Sequence, residues 1–218
     1  MLVVVVASGS MPEGDARWLD AADLVIAADG GAATLDRLGR RPDRLVGDLD
    51  STGPDLVARL EADGVPIERH PTDKEATDTE LALAAACTAG ATEIVVLGAL
   101  GGERLDHELA NLLLLADPLL DGRDVRIVSG QTSVRLVAGS ASLALGGADG
   151  DLVSLLPIGG DAAGVTTAGL RWGLHGATLP IGASRGISNE IVTAPASVSL
   201  DDGILLVVET AIQGGSTP

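Results

Sequence analysis

The chain has 218 residues, and its 31 Asp and Glu against 14 Lys and Arg give a formal net charge of −17. This excludes a binder of nucleic-acid backbones, whose affinity comes from basic side chains displacing counterions. Phe and Tyr are absent and Trp18 and Trp172 are the two large aromatics, which excludes base-stacking platforms for single strands and leaves an aliphatic core.

Along the first 130 residues, short β-branched runs alternate with helical patterns, the signature of βαβ units on a parallel sheet. The predicted strands are 2–7, 24–28, 44–47, 66–69, 94–98 and 125–129, several of them continuously apolar as expected when helices cover both faces. Trp18 falls on a short helix with Leu19, where a large apolar ring is expected in the core. A helix begins at Thr77, which forms a capping box with Glu80; Leu81, Ala84, Ala85 and Thr88 share one face, and Gly90 ends it. Cys87 lies in this segment and reads as a small buried hydrophobe. Another helix is predicted from Asp106, as its N-cap, to Ala116, before Pro118.

From about Ser133 the pattern becomes short strands between Gly, Asp and Pro: 134–137, 142–145, 152–156, 177–180, 197–200 and 204–209, with Asp201-Asp202-Gly203 as a hairpin turn. The tail 213–218 is expected to fray. The predicted fold is therefore an N-terminal parallel-sheet α/β domain, 1–130, followed by a C-terminal antiparallel β-sandwich domain, 131–218. The single cysteine cannot form an internal disulfide, the apolar start lacks a basic leader, and no run reaches about 18 apolar residues. A cytoplasmic protein without membrane contact is expected.

Ligands of open parallel sheets bind beyond the carboxyl ends of the strands. The loops there read Asp29-Gly30-Gly31, Gly47-Asp48-Leu49-Asp50-Ser51, Pro71-Thr72-Asp73-Lys74 and Gly98-Ala99-Leu100-Gly101-Gly102. Each is weak alone, since Asp and Gly are ordinary turn residues. Together, Asp48, Asp50, Asp73 and Asp78 make a hard-oxygen site suited to Mg²⁺ carried with a polyphosphate. Arg104 can clamp a phosphate, with Asp106 and His107 close behind. The histidines lack zinc-ligand spacing. Trp172, set among Gly, Arg and His, suits an exposed ring that stacks on a heteroaromatic cation.

In this order the motifs resemble those of thiamine pyrophosphokinases: Ala28 to Gly31, Val46 to Ser51, Thr72-Asp73-Lys74 with Thr77-Asp78, Gly98 to His107, Gly169 to Trp172, and Ser188-Asn189-Glu190. The resemblance implies diphosphoryl transfer from ATP to thiamine, with 1–130 as the nucleotide-binding catalytic domain, 131–218 as the thiamine-binding and dimerisation domain, and a homodimer with active sites between subunits. It implies that Asp48, Asp50, Asp73 and Asp78 handle Mg²⁺ and the triphosphate, with Arg104 and Asp106 in the catalytic set. Asp29, Gly30, Gly31, Ser51, Thr72, Lys74, Thr77 and His107 would border the nucleotide, and Trp172, Ser188 and Asn189 would meet thiamine. One departure is Glu103, which stands between Gly102 and Arg104 where the family's loop often reads Gly-Gly-Arg-x-Asp-His. Two alternatives remain open on the residues alone: a diphosphokinase for another hydroxymethyl heterocycle such as a pterin, and a non-catalytic nucleotide- or thiamine-binding regulator.

Overall fold

The computed structural model describes residues 1–212, so the expected fraying of 213–218 lies outside the described residues. The chain divides into two compact units, Met1–Gly130 and Gln131–Pro218.

In the first unit, six strands run parallel: β1 (Leu2–Val6), β2 (Leu24–Ala28), β3 (Arg44–Gly47), β4 (Ile67–Arg69), β5 (Glu93–Leu97) and β6 (Asp124–Ser129). Their order is β6-β5-β1-β2-β3-β4. The chain works outward from β1 in one direction and then returns to place β5 on the other side of β1. The crevice beyond β1 and β5 is thus the switch point of the topology, where such sheets bind ligands. Val3 to Val6 are fully buried, as the continuous apolar run requires of a strand covered on both faces.

Five helices accompany these strands: α1 (Ala16–Ala21), α2 (Gly31–Arg37), α3 (Pro54–Ala62), α4 (Asp78–Thr88) and α5 (Leu105–Leu114). The Thr77 hydroxyl caps α4 by accepting from the Glu80 N–H at 3.2 Å. Its buried residues are Ala82, Leu83, Ala85 and Ala86, not the expected Leu81, Ala84 and Thr88. The run is apolar almost all round, so its pattern carries little information about which face turns inward. Cys87 is half-buried, its thiol 3.7 Å from the Leu119 carbonyl.

Helix α5 starts two residues earlier than expected, with Arg104 rather than Asp106 at the N-cap and Asp106 inside the first turn. Asp106 is drawn away from capping by its bidentate bond to the Arg104 guanidinium, with Nε donating at 2.9 Å. None of the residues of α5 is buried, and Leu105, Leu109 and Leu113 are 68%, 52% and 56% exposed. Trp18 lies at the edge of the core rather than inside it, half-buried with the Arg126 guanidinium 5.7 Å from its ring centroid.

The second unit has two antiparallel sheets. Its strands are β7 (Thr132–Ala138), β8 (Ala141–Ala144), β9 (Leu152–Pro157), β10 (Ala162–Ala168), β11 (Ala177–Leu179), β12 (Asn189–Glu190), β13 (Ser197–Leu200) and β14 (Ile204–Thr210). One sheet runs β12-β9-β14-β7 and the other β11-β10-β13-β8. Val153, Leu155, Leu205 and Val207 from the first meet Val165, Leu179 and Val198 from the second in one core, which makes a sandwich. Strand β10 is not legible from its pattern, because it is rich in small residues and its pairing with β11 shifts register between Ala162 and Val165.

Asp201-Asp202-Gly203 does not close a hairpin, since β13 and β14 belong to different sheets. Gly203, at φ +96, instead carries the chain from one sheet to the other. Among the described residues, no helix is long and apolar enough to cross a membrane.

Replacing a fully buried side chain leaves a cavity that collapses only in part. Ile94 is fully buried on β5, the strand paired with β1 on one side and β6 on the other. Ile94→Ala is expected to cost about 2–5 kcal/mol, whereas Thr77→Ala costs about 1 kcal/mol, both read from urea unfolding midpoints.

Candidate functional site

The site is built where strand ends converge in the first unit. After β1, the Ala7 N–H donates to the Leu97 carbonyl and the Gly9 N–H to that of Gly98, both at 2.8 Å. A Cβ on Gly9 would stand 2.5 Å from the Gly98 oxygen, so the two loops can lie this close only without a side chain there. After β3, Gly47 has φ +147, and a Cβ on it would come within 2.8 Å of Asp78 Oδ1 and 3.0 Å of Asp29 Cβ. Glycine at this point lets two carboxylates from different loops close in from either side.

Asp29 is 3% exposed and sits in the left-handed region at φ +40. Its carboxylate accepts from the Ser51 N–H at 3.2 Å, the Thr52 N–H at 3.2 Å and the Thr52 hydroxyl at 2.9 Å. Asp48 receives the Lys74 ammonium at 2.6 Å, and the same ammonium is 3.1 Å from Asp78 Oδ1. That Asp78 oxygen is buried and lacks an aligned hydrogen-bond donor. Asp29, Asp48 and Asp78 each offer a carboxylate oxygen within 4.8 Å of the others.

Burial raises the pKa of Asp29, against the opposing bonds from Thr52 and Ser51, and the charge of Asp78 pushes the same way as burial. Asp48 is held below the usual range chiefly by its bond to Lys74. Burial works to lower the pKa of Lys74, but the two carboxylates together carry it above its ordinary value.

These groups line a cleft of about 500 Å³. Of the residues singled out in the sequence, the cleft gathers Asp29, Asp48, Asp50, Ser51, Thr72, Lys74, Thr77, Asp78, Arg104 and His107. Asp50 is at its exposed rim, where the Ser51 hydroxyl donates to it at 2.9 Å and its own N–H donates to Asp48 Oδ1 at 3.3 Å. The expected acidic quartet is not the cluster that the fold assembles. Asp73 is exposed and does not line the cleft, and Asp29 completes the group with Asp48 and Asp78.

Gly30 and Gly31 act from behind the cleft. A Cβ on Gly31 would collide with the Val6 carbonyl, and one on Gly30 would stand 2.9 Å from Ser8 Oγ. Arg104 is largely exposed and holds Asp106, which is lowered to about 2 by that bond; Asp106 itself does not line the cleft.

Sequence reasoning missed Ser8, Gly9 and Asn111, all in the cleft wall. Ser8-Gly9 follows a predicted strand and obeys the same strand-end rule as the other loops. Asn111, whose amide donates to the Ala99 carbonyl at 2.8 Å, carries no signal in the sequence. Three clustered carboxylates of hard oxygen, one with an unbonded buried oxygen and one ammonium among them, fit a divalent cation such as Mg²⁺.

In the second unit, Trp172 is 60% exposed. Its backbone N–H donates to Asn189 Oδ1 at 3.0 Å, and Asn189 Nδ2 donates to its carbonyl at 2.8 Å. Asn189 is buried and spends its amide on the Trp172 backbone, so it positions the ring. Arg171 grips Glu190 through two bonds of 2.8 Å with its guanidinium 5.9 Å from the Trp172 centroid. Ser188 is exposed at φ +56, its N–H donating to Ser154 Oγ at 3.0 Å.

Comparison with known proteins gives matches in both units. Residues 16–128 match the family model for the thiamin pyrophosphokinase catalytic domain, and residues 143–205 that for the thiamin pyrophosphokinase vitamin B1 binding domain. The thiamine pyrophosphokinase of Bacillus subtilis is 26% identical over 193 residues, spanning 88% of this chain and 90% of the relative. Thiamine pyrophosphokinase 1 of Oryza sativa subsp. japonica is 28% identical over 231 residues, spanning 94% and 86%. The crystal structure of the Bacillus subtilis protein superposes with a TM-score of 0.85 at 25% identity, covering 98% of this chain and 100% of that one. That of the Geobacillus thermodenitrificans protein gives 0.81 at 29% identity, covering 98% and 99%.

Because the pKa of Asp48 is depressed on folding, its ionised form stabilises the protein above the ordinary carboxylate value of 3.8, and that contribution is lost as pH falls through the lower folded value. Asp48→Asn is therefore expected to unfold at lower urea than the unaltered protein at neutral pH, with the gap shrinking at about pH 3.

Proposed function

The chain belongs to the thiamin pyrophosphokinase family, and from that membership we infer that it moves a diphosphoryl group from ATP to the hydroxyethyl oxygen of thiamine, giving thiamine diphosphate and AMP. A pterin-directed diphosphokinase and a silent regulator are not favoured, because both the catalytic and the vitamin-binding family models match. The observation that carries the catalytic reading is the convergence of Asp29, Asp48 and Asp78 around Lys74 at the switch-point cleft.

Asp29, Asp48 and Asp78 are the residues we assign to Mg²⁺, with Asp50 at the rim beside the triphosphate. The cation, when bound, neutralises charge on the phosphates and on the AMP leaving group. Asp29 is immobilised by three donors, so its carboxylate is oriented before any ligand arrives. Ser8 and Thr72 line the same cleft, where their hydroxyls suit phosphate oxygens. Thr77 uses its hydroxyl oxygen to cap α4, leaving its O–H free to donate. Arg104 and His107 line the opening, where they suit the outer phosphates.

Trp172, exposed and fixed by Asn189, suits stacking against thiamine, whose thiazolium is cationic. The bare stripe of Leu105, Leu109 and Leu113 on α5 supports a homodimer, since exposed apolar side chains in a helical row mark contact surfaces. The single Cys87, half-buried and without a partner cysteine, is in keeping with a reducing cytoplasm.

Incubating the purified protein with ATP, Mg²⁺ and thiamine is expected to yield AMP and thiamine diphosphate; ADP accumulating without thiamine diphosphate would sink the assignment. In the same assay Trp172→Ala is expected to raise the thiamine KM about tenfold with little change in kcat. Leu109→Glu is expected to shift the sedimenting species from dimer to monomer, and an unchanged dimer would remove α5 from the interface.

A further inference from the structure

Lys74 is the chain's single lysine against thirteen arginines. Its Nζ donates to Asp48 Oδ2 at 2.6 Å and stands 3.1 Å from Asp78 Oδ1, with 14% of the side chain exposed. Asp29 closes the group from the β2 loop, its carboxylate already committed to Ser51 and Thr52. A compact ammonium suits such a gap, whereas a planar guanidinium demands two parallel acceptors on one side. The fit is incomplete, because Asp78 Oδ1 is buried and gains no aligned donor from it.

We propose that Lys74 is an internal counter-cation that occupies the carboxylate cluster in the free protein and must leave it when a divalent ion enters. The inference rests on the assignment of Mg²⁺ to Asp29, Asp48 and Asp78. Without Lys74, three carboxylates whose oxygens lie within 4.8 Å of one another would repel with nothing between them. An ion coordinated by the same carboxylates at short range competes with the ammonium for the space between Asp48 and Asp78, and two cations in so small a gap repel. Free Mg²⁺ therefore binds against the cost of displacing an ammonium, which lowers its affinity for the nucleotide-free cleft.

The single lysine makes the displacement directly readable. Lys74 carries the chain's one side-chain amine, so acetylation by an amine reagent, followed by peptide mass, reports on it apart from the N-terminus. With Mg²⁺ as the only added ligand, the acetylation rate of Lys74 is expected to rise several-fold and to saturate along the binding curve measured by calorimetry. Lys74→Met is expected to bind Mg²⁺ on the order of tenfold more tightly than the unaltered protein. An acetylation rate that stays constant or falls as Mg²⁺ binds, the absence of Mg²⁺ binding without nucleotide in both the unaltered protein and Lys74→Met, or unchanged or weaker binding by Lys74→Met would overturn the proposal. The acetylation experiment needs no variant, so a misfolded Lys74→Met leaves it decisive. Neither measurement uses ATP or thiamine, so a failed competition beside intact thiamine diphosphate synthesis refutes the role of Lys74 alone.

Discussion

Like charge held at close range is the constraint on which the rest of the first unit depends. Three strand-end loops bring carboxylates together that water would otherwise keep apart, and a protein with a net charge of −17 has few cations to spare for them. The fold meets this constraint with hydrogen bonds as well as charge. Asp29 accepts from neutral donors on Ser51 and Thr52, and Asp48 and Asp78 share one ammonium. Clustered carboxylates with shifted pKa values at a strand-end cleft are the pattern of a functional rather than a structural cluster.

The backbone makes this crowding possible. Glycine at 47 removes the one side chain that would wedge Asp29 from Asp78, and glycine at 9 lets the loops after β1 and β5 cross at the switch point. Neither position touches charge, yet both decide where charge can go. The parallel sheet supplies the rest, because buried strands with fully apolar residues fix the loop origins to within a strand spacing of 4.7–4.9 Å, on the order of the reach of a carboxylate.

Much of this is legible in the sequence. Six parallel strands, the boundary between textures near residue 130 and the Thr77 cap all follow from local patterns of apolar period and turn chemistry. What escaped was decided by tertiary context. Helix α4 is apolar nearly all round, so only packing chooses Ala82 and Ala86 over Ala84 and Thr88. Asp106 resembles a cap in sequence but prefers the adjacent guanidinium. Asp73 and Asp29 are both acids in strand-end loops, and nothing in their neighbours says that one turns outward while the other is buried under Thr52. Asp201-Asp202-Gly203 has the chemistry of a hairpin turn, and the pairing of the flanking strands lies beyond its reach.

The aromatic poverty of the chain gives each unit an indole of its own, Trp18 in the first and Trp172 in the second, with no phenol to blur their light. One ring is half-shielded under Arg126 and the other stands mostly in solvent beside Arg171. Their emission should therefore differ in colour, the shielded ring to the blue and the exposed one to the red. Each half of the molecule carries its own optical reporter, so its melting and its ligand response can be followed separately without adding a label.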